Sequence, residues 1–383
     1  MTEILSAAST LSSPPPTKPI PPVAYQQSAG LWRLAWRRLR ADRVAMLSLA
    51  IVLAYLLMLV LSLTGVIAKG WNDEVGLRFA PPSFIGADKN PEPVDIPEPP
   101  LPENPVDPLA GILRQLRAAP TVAQPINDYG ITDPLASEMS AIHAELAKAG
   151  VVDEGARRAT LPFGGDKWGH DIVQKTIKGS ETSIIVGLVA AFVAVFLGTV
   201  LGAVSGYFGG LVDDVLNWFY NIFTSVPYLL LILAIAAVLQ HKGVVTIVLI
   251  LGLTGWTGTY RLIRAEYMKH KAREYVMAAD AIGASSMSKM FRHIFPNVSH
   301  VSLVQMSLMV VGFIKSEVIL SYLGFGVPVG MVSWGSMLNE AQNELILGKW
   351  WQLTAATIAM AILVTAFSLF TDALRDALDP KLK

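Results

Sequence analysis

Three observations predict an all-α integral membrane protein with six transmembrane helices. Of 383 residues, 52% are hydrophobic and only 16% charged, where an ordinary soluble chain carries about a quarter charged. The deficit is gathered into uncharged runs at 44–68, 182–212, 215–240, 243–260, 297–314 and 350–371, and a helix needs about 20 apolar residues to cross the hydrocarbon. Basic residues near the span ends supply the third observation. The flank 31–43 holds five Arg against one Asp, and the loop 261–297 seven Lys/Arg against three acids. Six spans put both on one side, which the positive-inside rule makes cytoplasmic, and place the N- and C-termini there too.

Residues 1–43 read as a cytoplasmic tail. Pro14, Pro15, Pro16, Pro19, Pro21 and Pro22 stand among Ser and Thr, so the first 29 residues cannot build a core. In 31–43, Arg33, Arg37 and Arg40 fall at helical spacing beside Trp32 and Trp36; this is an amphipathic helix on the membrane surface or a plain basic flank. The first span, 44–68, begins too far into the chain and runs too long for a signal peptide. Residues 69–165 form an extracytoplasmic loop. The stretch 69–166 holds eight basic and fifteen acidic residues, and 81–108 holds ten prolines, which favours extended chain. Helical patterning returns at 109–118 and 135–149, so the loop is a small cap or a tether.

The remaining five spans, within 166–383, make up a core. The segment 161–183 reads as an interfacial helix anchored by Trp168. The second span repeats Gly198-x3-Gly202-x3-Gly206, a small-residue face that lets another backbone come close in lipid. Pro227 bends the third span, with Thr224 or Ser225 available to satisfy the freed backbone; the bend lines a moving pathway or is a static kink. In the fifth span Lys315 and Glu317 each cost about 2.5–3.5 kcal/mol at mid-membrane, and two residues apart they point to different faces. Glu317 either faces a water-filled translocation path or bonds to a neighbouring helix. Residues 320–338 are Gly-rich and irregular, tolerable near membrane depth only where protein or a cavity covers them.

Between spans four and five lies Arg273–Pro296, a basic segment crowded with Ala278, Ala279, Ala281, Gly283, Ala284, Ser285 and Ser286. Gly283 suits a left-handed helix stop, Ser285 or Ser286 the cap of a second helix, and Pro296 a break before the next span. The prediction is a helix–turn–helix knuckle shaped to enter a partner's cleft, against the plainer reading of an interhelical loop. The chain has no Cys, no metal-ligand spacing among its six His, no GxxxxGK[ST] phosphate loop and no GxSxG. It has the parts of a conduit and none of an engine, and nothing in it points to nucleic acid.

Ala278-Ala279-x3-Gly283 followed by Arg292, His293, Pro296 and Asn297 resembles the cytoplasmic EAA loop of ABC-importer permeases, in particular the second permease subunit of the dipeptide/oligopeptide/nickel family. Met277, Asp280 and Phe295 depart from that pattern, where the family usually has Glu, Arg and Leu. Further likeness lies in Gly165, Asp166, Gly169, Asp171, Gly179 and Ser183, with His170 and Glu181 standing where Arg is common. It continues in Tyr207, Gly209, Gly210 and Asp213, in Ser321, Leu323, Gly324, Gly326, Ser333, Trp334 and Gly335, and in the ending DALRDALDPKLK. The resemblance implies an importer-permease bundle in a bacterial-type inner membrane. Its partners would be a second permease, one or two ATP-binding subunits that hold ATP and Mg, an extracytoplasmic solute-binding protein and membrane lipid, with no cofactor in this chain. It assigns ATPase coupling to Arg273, Glu274, Ala278, Ala279, Gly283 and Pro296 within 273–296. Glu317, Lys315 and Pro227 become candidates for the translocation path, and Gly324, Gly326 and Trp334 for an outer gate. The cargo would be a peptide or, less often, nickel or another small solute. Two rival readings are a secondary transporter and a membrane scaffold with an extracytoplasmic binding loop.

Overall fold

Residues 31–86, 157–328 and 330–378 are described by the structure, a computed structural model. The tail 1–29, most of the proline-rich stretch, the patterned segments 109–118 and 135–149 and the final residues 379–383 lie outside the described residues. In chain order the helices are α1 (Leu31–Ala41), α2 (Arg43–Leu63), α3 (Ile172–Phe208), α4 (Gly210–Thr224), α5 (Tyr228–Leu239), α6 (Val244–Thr254) and α7 (Thr257–Lys271). Then come α8 (Glu274–Ala281), α9 (Ser286–Tyr322), α10 (Trp334–Ile346) and α11 (Trp351–Leu378). Extended backbone among the described residues is confined to four isolated bridges. Five continuous helical stretches are long and apolar enough to span a membrane, α6 and α7 together making one of them; counting the bent pair α4–α5 as another gives the six predicted spans.

Helix α3 is the axis of the bundle. Its 37 residues are about 55 Å long at 1.5 Å per residue, well beyond a hydrocarbon core of about 30 Å, so both ends protrude. It starts at Ile172 rather than 182 because the charges of its first turns are paired: Lys175 with Asp166 and Glu340, Lys178 with Glu181. Along its other half the predicted small-residue face meets α7 backbone to backbone. A Cβ at Gly198 would lie 2.6 Å from the Trp256 carbonyl oxygen, and one at Gly202 2.7 Å from that of Tyr260. At Gly206 it would meet the Arg264 carbonyl at 2.5 Å. Only glycine permits that approach.

The break between α4 and α5 turns the chain by 82°. Pro227 caps α5, and the hydroxyls of Thr224 and Ser225 donate back to the carbonyls of Tyr220 and Ile222 at 3.1 and 2.7 Å. These are the groups the sequence offered for that purpose. Helix α1 does not stand apart from the bundle: Leu39 joins Ala45, Ala377 and Leu378 in a small core against the end of α11, while Trp36 stays exposed.

Three expectations need correction. The first span, α2, stops at Leu63, not Ala68, and the chain turns at Gly65 with φ 71°. Residues 161–171 are not an interfacial helix. They form a folded loop bridged to 74–82, Glu74 pairing with His170, Gly76 with Arg158 and Pro82 with Leu161. Glycines at 164 and 169 take φ of 94° and 85°, which a helix cannot hold. Last, Pro296 does not separate the knuckle from the fifth span. Residues 286–322 are continuous because Lys289–Ile294 widen into a π-helical stretch just before it. That widening relieves the clash a proline ring makes with the carbonyl four residues back in an α-helix.

Candidate functional site

The knuckle is built as a clip. Helix α8 begins after extended Arg273 and ends at Ala281, and Gly283, two residues on, takes φ 79°. The Gly283 and Ala284 amides close the turn on the carbonyls of Asp280 and Ala279 at 2.9 and 3.0 Å. Ser285 then caps the second limb, its Oγ accepting from the Ser288 amide at 3.3 Å. Lys289 forms an ion pair with Asp280 across the two limbs. Asp280 thus has a local partner of its own.

One face of the clip is anchored and the other bare. Val276, Met290, Ile294 and Val298 pack with Ala203 and Tyr207 of α3 and Ile263 and Tyr267 of α7 in a core separate from that of the bundle. The Tyr267 hydroxyl donates to the Met290 carbonyl inside the π-helical stretch at 3.2 Å. On the bare side Ile282 is 83% exposed and Met287 63%, with Met277 and Phe291 also exposed. The six residues assigned to coupling divide between these faces. Ala279 is buried against the bundle, whereas Arg273, Glu274, Ala278, Gly283 and Pro296 are exposed. A Cβ on Gly283 would meet nothing within 4 Å, so glycine is needed there for its backbone angle rather than for space.

Behind the clip, Arg264 of α7 donates through Nε and Nη2 to both carboxylate oxygens of Asp213 at 2.6 Å. Asp213 also receives Ser205 and Asn217, and Ser205 bonds Tyr260 at 2.9 Å. This ties the ends of α3, α4 and α7 together. Asp213 was legible in the sequence as a turn residue; its partner, 51 positions away, was not.

At the far end of the bundle the structure brings Glu317, Gly326 and Trp334 together. Glu317 is fully buried, its Oε2 accepting from Ser183 Oγ and its Oε1 from Ser321 Oγ, each at 2.6 Å. Ser183 Oγ in turn accepts from the Trp334 amide at 3.3 Å. Trp334, also fully buried, donates its indole N–H to the Thr176 carbonyl at 3.1 Å. A Cβ on Gly326 would overlap Ser321, and one on Gly335 would lie 2.5 Å from the Val318 carbonyl. Glu317 therefore fastens α3, α9 and the segment 321–334, which is the neighbouring-helix alternative of the two readings. Lys315 lies exposed on another face of α9, Gly324 takes φ 87° at the turn after it, and Pro227 stands apart at the α4–α5 bend.

A second far-end cluster escaped the sequence reading. Asp166 is fully buried, its Oδ1 accepting from the Trp168 and His170 amides and its Oδ2 from His170 Nδ1 and Lys175 Nζ at 2.8 and 2.7 Å. Lys175 also reaches Glu340 at 2.6 Å, and Gln352 donates to Glu340 at 3.2 Å. Beside them Glu344 is 2% exposed; its Oε1 accepts from the Lys167 amide at 3.3 Å and its Oε2 has no bonding partner. Burial pushes the Asp166 carboxyl up, but the His170 bonds and the Lys175 charge outweigh that and hold it well below the usual carboxylate range. For Glu344 burial wins, and its carboxyl is pushed up to about 7. The Asp between two glycines in GGDKWG was the available signal. Its partner Lys175, and Glu340 and Gln352 that bond Lys175 in turn, come from three helices in all, and no local pattern joins them. A groove of about 620 Å³ opens above this cluster, lined by Trp71, Glu74, Lys242, Gly324 and Glu340.

No group of three or more His, Cys, Asp or Glu among the described residues is arranged to hold a metal ion.

Comparisons with known proteins show the family. Residues 198–383 match the family described as the binding-protein-dependent transport system inner membrane component, and residues 30–82 the N-terminal TM domain of oligopeptide transport permease C. The dipeptide transport system permease protein DppC of Bacillus subtilis is 34% identical over 251 residues, 64% of this chain and 78% of the relative. The oligopeptide transport system permease protein OppC of the same organism is 37% identical over 221 residues, 58% of this chain and 72% of the relative. Among solved structures, the inward-facing MetNI methionine ABC transporter aligns at a TM-score of 0.42 and 15% identity, covering 54% of this chain and 98% of that one. Its family model, its permease C N-terminal region and its identity to DppC and OppC together place this chain in the peptide family of ABC-importer permeases.

Proposed function

We propose that this chain forms half of the translocation pathway of an ATP-driven importer for peptides or similar small solutes, and that 273–296 is the site at which a separate ATPase takes hold. The observation that carries this reading is the two-faced knuckle. An apolar, solvent-facing edge of Met277, Ile282 and Met287 projects from a clip whose other edge is packed onto α3 and α7. Exposed apolar side chains on a turn with a fixed backbone angle are suited to entering a cleft, and a rigid anchor lets a push on the clip reach α3. The basic charge of 31–43 and 261–297 supports placing the knuckle and both termini in the cytoplasm of a bacterial-type inner membrane.

In this arrangement ATP and Mg are held by the partner, and a second permease completes the path. An extracytoplasmic binding protein delivers cargo at the far end, where the Glu317–Ser183–Trp334 fastening sets the gate segment containing Gly324 and Gly326. Movement requires the ATPase to favour one of two bundle conformations over the other; equal binding to both would shift nothing.

The test is co-purification of the ATPase with wild type, Gly283→Glu and Ile282→Asp in the full complex, alongside peptide uptake. Ile282 lies on the bare face, so its replacement leaves the fold and melting temperature intact. Both variants are expected to lose the ATPase and uptake together. Retention of ATPase and of uptake in Ile282→Asp and Gly283→Glu would overturn the assignment of the docking site.

A further inference from the structure

A second groove, of about 440 Å³, opens sideways between α2, α3 and α11 near the far end of the bundle. Ala54 and Met58 form one wall, Val173 and Ile177 another, and Ile358 and Ile362 the third, with the Trp334 ring at the back. Small side chains on two facing helices, Ala54 on α2 and Ala355 and Ala359 on α11, create the depression.

Two features define what fits there. Every polar side-chain group at the back of the groove is already satisfied within the protein. The Tyr55 hydroxyl donates to the Ala359 carbonyl at 2.9 Å, and the Trp334 indole N–H to the Thr176 carbonyl. The two rings meet edge to face at 6.4 Å, presenting carbon. An occupant that carries hydrogen-bonding groups would find no partner for them and would lose their hydration. The lining residues Ile358 and Ile362, and Leu53 and Leu57 next to Ala54 and Met58 along α2, are exposed, all on helices apolar enough to span a membrane. Such a mouth suits hydrocarbon rather than water.

Just beyond the groove, towards the end of the bundle, Phe84, Phe163 and Trp350 form a triangle with centroids 6.0, 6.3 and 6.5 Å apart. Phe163 belongs both to this triangle and to the groove wall. Trp is enriched at the membrane–water interface, and Trp350, just before the apolar run of α11, fits that level. The groove therefore runs from an interfacial aromatic belt down into the hydrocarbon, the path of one acyl chain whose headgroup rests at the belt.

We propose that this groove is a binding site for a single phospholipid acyl chain from the leaflet remote from the knuckle. Packed there, the chain backs the ring of Trp334, whose amide is clamped in the Glu317 network, and so fills a void behind the gate segment. The proposal depends on the fold in the membrane and not on the ATPase-docking assignment.

The full complex in nanodiscs of phosphatidylethanolamine and phosphatidylglycerol, doped with a phospholipid bearing a mid-chain diazirine, is irradiated and its labelled residues mapped. Labelling is expected to concentrate several-fold on Met58, Ile177 and Ile358 over Phe192 and Phe196, which are lipid-facing controls on α3. Ala359→Phe, or Ala54→Leu should the first variant fail to assemble, fills the groove. Either is expected to bring labelling there down to the control level while leaving that at Phe192 unchanged. Equal labelling of groove and control in wild type means annular lipid only and overturns the proposal. So does labelling that survives both filling variants, and so does an unlabelled groove cross-linked instead to the second permease.

Discussion

Glu344 and Asp166 belong to one cluster and respond to burial in opposite ways. Asp166 has four donors and keeps its charge; Glu344 has one donor at 3.3 Å and a bare oxygen. A carboxyl raised from 4.5 to about 7 favours the proton in the folded state. Its contribution to stability is therefore whole below about pH 4.5 and lost as pH rises through about 7. Glu344→Gln, which is neutral at every pH, should match wild type in melting temperature near about pH 5 and exceed it near about pH 8. Asp166, held below its ordinary value, contributes across that whole window and loses the contribution only in stronger acid. Asp166→Asn should therefore lower the melting temperature at both pH values alike, by leaving Lys175 without one of its two carboxylates. Thermal unfolding of both variants in one detergent separates the cases, and a Glu344→Gln curve that tracks wild type at both ends would contradict the assignment. Neither behaviour was legible in the sequence, where each residue is one acid among many.

At the scale of elements, the α3–α7 contact sets the geometry of the knuckle, because α7 carries Tyr267 and leads directly into α8. Gly202 lies at the middle of that contact, where a Cβ would come within 2.7 Å of the Tyr260 carbonyl oxygen. Valine there would drive carbon into the Tyr260 carbonyl and against the Arg264 amide 3.1 Å away, an overpacking cost of about 1–3 kcal/mol. Gly202→Val should lower the unfolding temperature and also weaken ATPase retention, since α7 must move out with Tyr267. Gly312→Ala, whose Cβ meets nothing within 4 Å, should change neither. The repeat of glycines four apart was readable in advance as a contact face, and so were the bend at Pro227 and the stop at Gly283. Each is a local backbone requirement that only certain residues meet. Pro296 shows the limit of such reading: a proline predicts a strained helix, but the neighbouring turn decides whether the helix breaks or widens.

For the molecule as a whole, the two ends of the bundle are joined by continuous helices. Helix α3 runs from the Asp166–Lys175 cluster past the Glu317 fastening to the knuckle core, and α9 runs from the knuckle's second limb to Ser321. In the proposed mechanism a shift of the clip would reach 321–334 through two rods rather than through loops. Reconstituted in vesicles, the chain with its second permease but without the ATPase should move no peptide against a gradient when ATP is supplied, and addition of the ATPase should restore uptake. Uphill transport by this chain alone would refute the division of labour.

The amino-acid sequence by itself determined the membrane class, the apolar runs that become the five or six candidate spans, the basic clusters at 31–43 and 261–297, and a knuckle with a left-handed stop. Those follow from hydropathy and from backbone angles, which act over a few residues. Only the tertiary structure decided which charges are buried and with whom. Asp213 finds Arg264, Lys175 finds Glu340 and Glu317 finds Ser183 across separations of 51, 165 and 134 residues. Partners are chosen by how the helices lie against one another, and that register is written in no single stretch of the chain.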